Sequence, residues 1–266
     1  MSEETVPAAT VAETELAPAA AAARGRTSLR EYAESLLVTV LLALFGTTFV
    51  VQAFKIPSQS MEPTLLVGDH LLVNKFVFGG RGRWYDAVLP YRDVRRGDVI
   101  VFKFPFQDHP HYVKRVVGMP GDRVKIVDQQ VYVNGQRLDE PYAYHDAVAP
   151  YDPFLYNFPP ANPDELLSNM QPEWAGEIAS HVSGGELLVP PGRYFAMGDN
   201  RDHSWDSRYW GFVDREAIMG RPLVIYWSLE SLDDSGQDRS VLSAFLQGLI
   251  HLPERLRWRR MLHTVH

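Results

Sequence analysis

The 266-residue chain contains no cysteine. Disulfides, thiolate-held metals and a cysteine nucleophile are therefore excluded. An oxidising location is not excluded, because a domain of this size folds without disulfide staples. The basic excess of a nucleic-acid binder is also missing. The 26 Lys and Arg stand against 33 Asp and Glu, a net charge of −7, so no nucleic-acid partner is expected. Charge is absent altogether from Ser35 to Phe54, SLLVTVLLALFGTTFVVQAF. About 20 residues at ~1.5 Å each match the ~30 Å of bilayer hydrocarbon, and the run is apolar on every face. This predicts a transmembrane helix over 34–54, with the lipid bilayer as a partner. A cleaved leader is the alternative, with Val51-Gln52-Ala53 as its small-residue cut, but this run exceeds the roughly 7–15 residues of a leader's apolar core. Arg24, Arg26 and Arg30 precede the run and Lys55 alone follows closely. The positive-inside bias then puts the N-terminus in the cytoplasm and everything after Lys55 outside.

Helical periodicity is scarce between 56 and 229. Short β-branched and aromatic runs follow Gly-Asp pairs instead: Gly68-Asp69 before HLLVNKFVF, Gly97-Asp98 before VIVFKF, Gly121-Asp122 before RVKIV. Such runs read as strands. Asn134-Gly135 between QVYV and QRL is a strong hairpin signal, and ELLVP, RYFAMG and RPLVIYWS add further strands. The expected fold class is mainly β, an antiparallel sheet domain over 55–229. The Pro-, Tyr- and Asp-rich stretch 141–185 interrupts it as an inserted subdomain, packed down by its aromatics. Residues 1–33 lack apolar periodicity and read as a disordered tail. At the other end, 230–266 reads as a linker, an apolar stretch VLSAFLQGLIHL, and a basic segment with Arg255, Arg257, Arg259 and Arg260 around Trp258. That tail is either an interfacial helix on anionic lipid or a solvated basic end.

Three segments carry candidate chemistry. In PSQSMEPTL, 57–65, two serines sit on a loop stiffened by Pro57 and Pro63. A serine hydroxyl needs a base to become a nucleophile, and without G-x-S-x-G this is no α/β-hydrolase elbow. In HYVKRVVGMPGD, 111–122, strand alternation puts Tyr112, Lys114 and Val116 on one face and Val113, Arg115 and Val117 on the other. An exposed lysine, with pKa about 10.4, stays protonated, whereas a desolvated one can act as a base. In GDNRDHSWDSRYWGF, 198–212, Ser204, Ser207 and several Asp and Arg crowd one loop. Plain structural readings stand beside these: a turn, a strand with one solvated cation, a loop held by Asp–Arg pairs. His109, His111 and His203 offer a Ser-His-Asp triad as another arrangement. Asp108-His109-Pro110-His111 offers a metal site, since H-x-H on a strand presents both rings on one face.

Together, PSQSMEPTLLVGD, RRGDVIVFKFP, YVKRVVGMPGD and GDNRDHSWDSRYWGFV, in that order behind an apolar run, resemble the motifs of bacterial type I signal peptidases. The resemblance covers most of 36–229. It implies a single-pass, monomeric serine endopeptidase of the plasma (inner) membrane, with its catalytic domain on the extracytoplasmic face. Such an enzyme cuts signal peptides from exported preproteins after small residues, A-x-A, with neither metal nor other cofactor. Matched position by position, Ser60 is the nucleophile and Lys114 the general base, while Ser58 joins the Ser60 N–H in the oxyanion hole. Ser204 matches a serine that hydrogen-bonds the lysine, and Asp206 and Arg208 match a supporting ion pair. Ile56, Pro57, Met61, Leu65, Tyr112 and Val113 match positions lining shallow substrate pockets. Gln59 and Trp205 stand at variable positions. Two rivals remain: a self-cleaving serine–lysine protease of the SOS-repressor type, whose members lack a membrane anchor, and a tethered binding domain with an inert dyad.

Overall fold

The computed structural model describes residues 29–47, 51–78, 91–104, 111–149, 151–160, 170–230 and 255–265. It divides into two compact units, 1–46 and 47–266. In the first, helix α1 (Leu29–Phe45) runs for 17 residues, and the side chains of Leu36, Leu37, Leu41, Leu42, Leu44 and Phe45 are all more than half exposed. The single helix expected over 34–54 is corrected here. The helix ends at Phe45, and Val51–Lys55 form strand β1 of the second unit. The composition explains the switch, because the run is Leu-rich up to Phe45 and then changes at Gly46 to Thr47, Thr48, Val50 and Val51, residues that favour strands. Among the described residues no helix is long and apolar enough to cross a membrane. Val51-Gln52-Ala53, considered above as a cut, lies within β1. The expected tail over 1–33 falls outside the described residues up to 28.

The second unit is mainly β, and all its strand pairs are antiparallel. After β1 come β2 (Asp69–Asn74), β3 (Val99–Lys103), β4 (His111–Gly118), β5 (Arg123–Val127), β6 (Gln130–Val133) and β7 (Gln136–Arg137). There follow β8 (Val182–Ser183), β9 (Glu186–Leu188), β10 (Arg193–Met197), β11 (Val213–Asp214), β12 (Ile218–Ser228) and β13 (His263–Thr264). One sheet has the order β1-β2-β12-β3-β4-β10-β11, with β13 on β12. The other has the order β7-β6-β5-β9-β8. β4 and β10 are neighbours in the first sheet, so everything between them is an excursion. That excursion begins at β5 and ends at β9, and is therefore longer than the expected 141–185. It includes α2 (Pro153–Tyr156) and α3 (Pro172–His181), and its Phe154, Phe158 and Trp174 are buried against Val124, Ile126 and Phe195.

One turn design recurs before β2, before β3 and before β5. Gly68, Gly97 and Gly121 sit at φ 86 to 90°, where a Cβ is disfavoured. The next residue, Asp69, Asp98 or Asp122, donates its backbone N–H to the carbonyl three residues back. Its carboxylate accepts the N–H of that same residue, Leu66, Arg95 or Met119, at 2.9, 2.8 and 2.6 Å. An arginine neutralises each: Arg260, Arg92 and Arg96. The Gly-Asp pairs thus end one element and start a strand with both polar groups of the turn satisfied.

The solvated-end reading of the basic C-terminal segment is corrected as well. VLSAFLQGLIHL lies outside the described residues, but 255–265 fold back onto the first sheet. β13 pairs with Val224 and Ile225, and Leu256 and Val265 are buried. Arg257 donates to Val67 O at 3.0 Å, and Arg260 donates to Thr64 O at 2.9 Å and pairs with the buried Asp69 at 2.6 Å. Arg257 and Arg260, which looked like part of a solvated end, are structural, because Asp69 and the carbonyls of the 64–67 loop need donors.

Candidate active site

The ladder between β1 and β2 continues one step past Lys55, with Ile56 N–H donating to Asp69 O and Gly68 N–H to Ile56 O. The chain then turns through a single 3₁₀ turn, Gln59–Met61. Met61 and Leu65 drop into an apolar cluster with Ile56, Leu71, Val99 and Val101, against which Val113 packs. That burial holds the turn down and leaves Ser60 8 % exposed. Ser58 stays on the surface, its Oγ 3.4 Å from Ser60 Oγ.

β4 supplies the partner. Its register with β3 sets Lys114 opposite Ile100, and the side chain is 2 % exposed. Nζ lies 2.6 Å from Ser60 Oγ and 5.8 Å from the centre of the Tyr112 ring, so the expected sharing of one strand face is present. Burial pushes the Lys114 ammonium down to about 8. Arg208 adds to that fall, while Asp206 and Asp199 oppose it. Desolvation wins because an ammonium loses most by leaving water. A cleft of about 300 Å³ opens above the pair, lined by Phe54, Ile56, Pro57, Met61, Tyr112 and Val113 besides the dyad and Ser58. Leu65, expected on this lining, is fully buried beneath it. On the side of β4 facing β10, pairing covers only Arg115 to Gly118, which leaves the cleft over the strand's first half.

The 198–208 segment packs against the serine turn, with Asn200 N–H donating to Ser60 O. A Cβ on Gly198 would stand 2.2 Å from Ser204 Oγ and 2.3 Å from Ser60 O, so only glycine lets this backbone approach the serine turn. Ser204 is 5 % exposed, and its Oγ has no hydrogen-bond partner among the described residues. The bond expected from it to Lys114 is therefore not formed; Nζ is turned to Ser60 instead. Asp206 takes two bonds from Arg208, at 2.8 and 2.9 Å, accepts Gly198 N–H at 3.0 Å, and caps the short helix α4 (Ser207–Trp210). Burial alone would raise the Asp206 carboxyl, but Arg208 and the Gly198 N–H hold it below its ordinary value. The expected ion pair thus sits fully buried below the lysine.

Several residues here carried no local signal. Asp199 binds Arg115 through two bonds, at 2.8 and 2.7 Å, and accepts Thr64 Oγ1 at 2.6 Å. Tyr142 lies 4.0 Å below the Arg115 guanidinium, and Glu140 holds Arg201 at 2.6 and 2.9 Å. The partners are tens of residues apart in the chain, so only the doubled charges of the 198–208 loop hinted at them. The rival histidines go elsewhere. His203 Nε2 meets Asp146 at 3.1 Å, and the exposed His111 ring stands edge-on to Phe54 at 5.0 Å. Asp108 and His109 lie outside the described residues.

An antiparallel β protein with a serine and a buried lysine at the mouth of an apolar cleft is thus on hand. The family model described as signal peptidase, peptidase S26, matches residues 29–227. The signal peptidase I of Pseudomonas fluorescens is 37 % identical over 214 residues, covering 75 % of this chain and 73 % of its own. That of Aquifex aeolicus (strain VF5) is 34 % identical over 229 residues, covering 75 % and 85 %. A solved signal peptidase I from Enterococcus faecalis V583 shares 30 % identity over 49 % of this chain and 97 % of its own, at a TM-score of 0.32, too low to carry weight. The chain belongs to the signal peptidase S26 family and is a peptidase.

Proposed function

We propose that this chain is a membrane-anchored serine endopeptidase that removes signal peptides from exported preproteins after small residues, through an acyl-enzyme on Ser60 with Lys114 as general base. The observation that carries the reading is the 2.6 Å contact between Ser60 Oγ and the Nζ of a lysine only 2 % exposed. With its ammonium lowered to about 8, about one-tenth of Lys114 is neutral at pH 7. Neutral Nζ takes the Ser60 proton as Oγ attacks the carbonyl before the cut. The Ser60 N–H and the Ser58 hydroxyl receive the oxyanion. The resulting ammonium then gives its proton to the leaving amine, and the neutral lysine next deprotonates the water that releases the acyl group. The apolar walls at Ile56, Met61, Tyr112 and Val113 leave shallow pockets suited to Ala, Gly or Ser flanking the cut. Asp206 and Arg208 support the lysine by fixing the charge below it.

The anchor is α1. Its exposed Leu, Val and Phe side chains suit lipid tails, but its charge-free part, Ser35 to Phe45, is only about 16 Å long against the ~30 Å hydrocarbon layer, so spanning requires marked thinning of the bilayer around it. The arginines before it keep the N-terminus cytoplasmic, which leaves the β unit on the outer face, where exported chains emerge.

The test is the pH–rate profile of preprotein cleavage. Wild type should gain activity as pH rises through about 8, where Lys114 loses its proton. Ser60→Ala and Lys114→Ala should each lose at least ~10²–10⁴-fold. Equal processing by Ser60→Ala would sink the peptidase site, and near-normal activity in Lys114→Ala would remove the base.

A further inference from the structure

An oxyanion donor is only as good as its aim. The Ser60 N–H belongs to the peptide unit joining Gln59 to Ser60, and in a trans unit the N–H points opposite the C=O. Whatever holds Gln59 O therefore aims the Ser60 N–H. Two groups hold it. Glu62 N–H closes the 3₁₀ turn onto it at 3.0 Å, and Asn200 Nδ2 donates to it at 3.3 Å. Gln59 O can only accept, which fixes the amide's orientation: Nδ2 faces the turn, and Oδ1 is the atom left buried without a partner among the described residues. Asn200 also donates its own N–H to Ser60 O at 3.2 Å. One residue thus grips the carbonyls on both sides of Ser60.

Asn200 is itself held rigidly. It is 3 % exposed and forms a parallel bridge with Tyr144, made by Tyr144 N–H to Asp199 O and Arg201 N–H to Tyr144 O. Its neighbours are locked by Arg115 on Asp199 and Glu140 on Arg201. Among the described residues it makes no hydrogen bond to Lys114 Nζ or to Ser60 Oγ, so it acts on the main chain of the turn and not on the proton transfer. We infer that Asn200 is a positioning residue that orients the Gln59–Ser60 peptide unit and so aims the Ser60 N–H at the oxyanion. A donor bound to the carbonyl end also polarises the N–H at the other end of the same unit, strengthening it.

This inference rests on the reading of the Ser60 N–H as an oxyanion donor, and its test separates the two. Full-length chain in detergent, cleaving a preprotein, is compared as wild type, Ser60→Ala, Asn200→Ala and Asn200→Asp. Asn200→Asp keeps the size and the main-chain bond but turns an acceptor toward Gln59 O, so it tests the donor even where the alanine variant folds poorly. Both Asn200 variants should lose about 10- to 100-fold in kcat, short of the 10²–10³ for outright removal of a donor. KM should stay within about twofold in both, and the rising limb of the pH profile should not move in Asn200→Ala, which adds no charge beside Lys114. A kcat within twofold of wild type in both variants overturns the inference, as does a loss that falls on KM or a shifted limb in Asn200→Ala, which would place Asn200 in the substrate pocket or on Lys114. Activity persisting in Ser60→Ala would instead fell the underlying reading of the site.

Discussion

The two halves of the candidate dyad are held by different physics. Lys114 sits on a regular strand whose pairing with β3 fixes its position, and a few strong buried terms control it: desolvation and the charges of Asp206, Arg208 and Asp199. Ser60 sits on one 3₁₀ turn at the end of β1, and many modest bonds from distant segments hold that turn and the loop after it. Asn200 grips the carbonyls of Gln59 and Ser60, Thr64 reaches Asp199, and Arg257 and Arg260 return from the C-terminal segment to Val67, Thr64 and Asp69. The lysine half should therefore answer to changes of charge, with shifts along the pH axis. The serine half should answer to lost bonds, with smaller changes that leave the pH axis alone.

The strongest break on the lysine side is Asp206→Asn. It leaves Arg208, 1 % exposed, without its counter-charge, and stranding one member of a buried pair costs about 3–5 kcal/mol. Urea unfolding of the detergent-solubilised chain should show that loss. The carboxylate also favours the charged form of Lys114, so its removal should move the rising limb of the pH–rate profile to lower pH. An unchanged limb would mean that desolvation alone sets the lysine.

The same contrast explains what the sequence could reveal. Strand periodicity put Tyr112 and Lys114 on one face, and the Gly-Asp pairs marked the starts of β2, β3 and β5, because these are local rules. The serine half was legible only as far as its own motif. Gly198 needs a backbone approaching from 138 positions away, and Thr64, Asn200 and Arg260 act on partners that no window of residues contains. Arg115 shows both sides of this. Its face was foreseeable by alternation, but its partner, Asp199, was not. At the N-terminal end, uniform apolarity hid the change from α1 to β1, although the β-branched residues after Gly46 carried the signal. In the C-terminal segment, nothing local marked Arg257 and Arg260 as structural, because their partners, Val67, Thr64 and Asp69, lie far upstream.

A second lysine-side change should go the opposite way in stability. Lys114→Met removes an ammonium that titrates at about 8 in the fold against 10.5 unfolded. Between those values the unfolded chain binds the proton more readily, so stability rises with pH. The folded state bears the full penalty below about pH 8, and none above about 10.5. The inactive methionine variant should therefore be more stable than wild type at pH 7 by up to about 3 kcal/mol, with the gap closing as pH rises to 10.5. A gap that is constant with pH would show that the effect is packing, not charge.

On the serine side, Arg260→Ala removes the cation that bonds Asp69 and the Thr64 carbonyl from the C-terminal segment. Asp69 keeps Ser228 Oγ at 2.6 Å and the Leu66 N–H at 2.9 Å, and the arginine is 23 % exposed, so water can replace part of what is lost. The expected cost is about 1.5–3 kcal/mol, the range for a bond to a charged group, read from urea midpoints. Cleavage should fall by only a few fold, with the rising limb still near pH 8, because nothing around Lys114 changes. A shift of that limb would erase the division between the two halves. Unchanged stability would mean that 255–265 rest on β12 through β13 alone and that the arginine does not brace the loop behind Ser60.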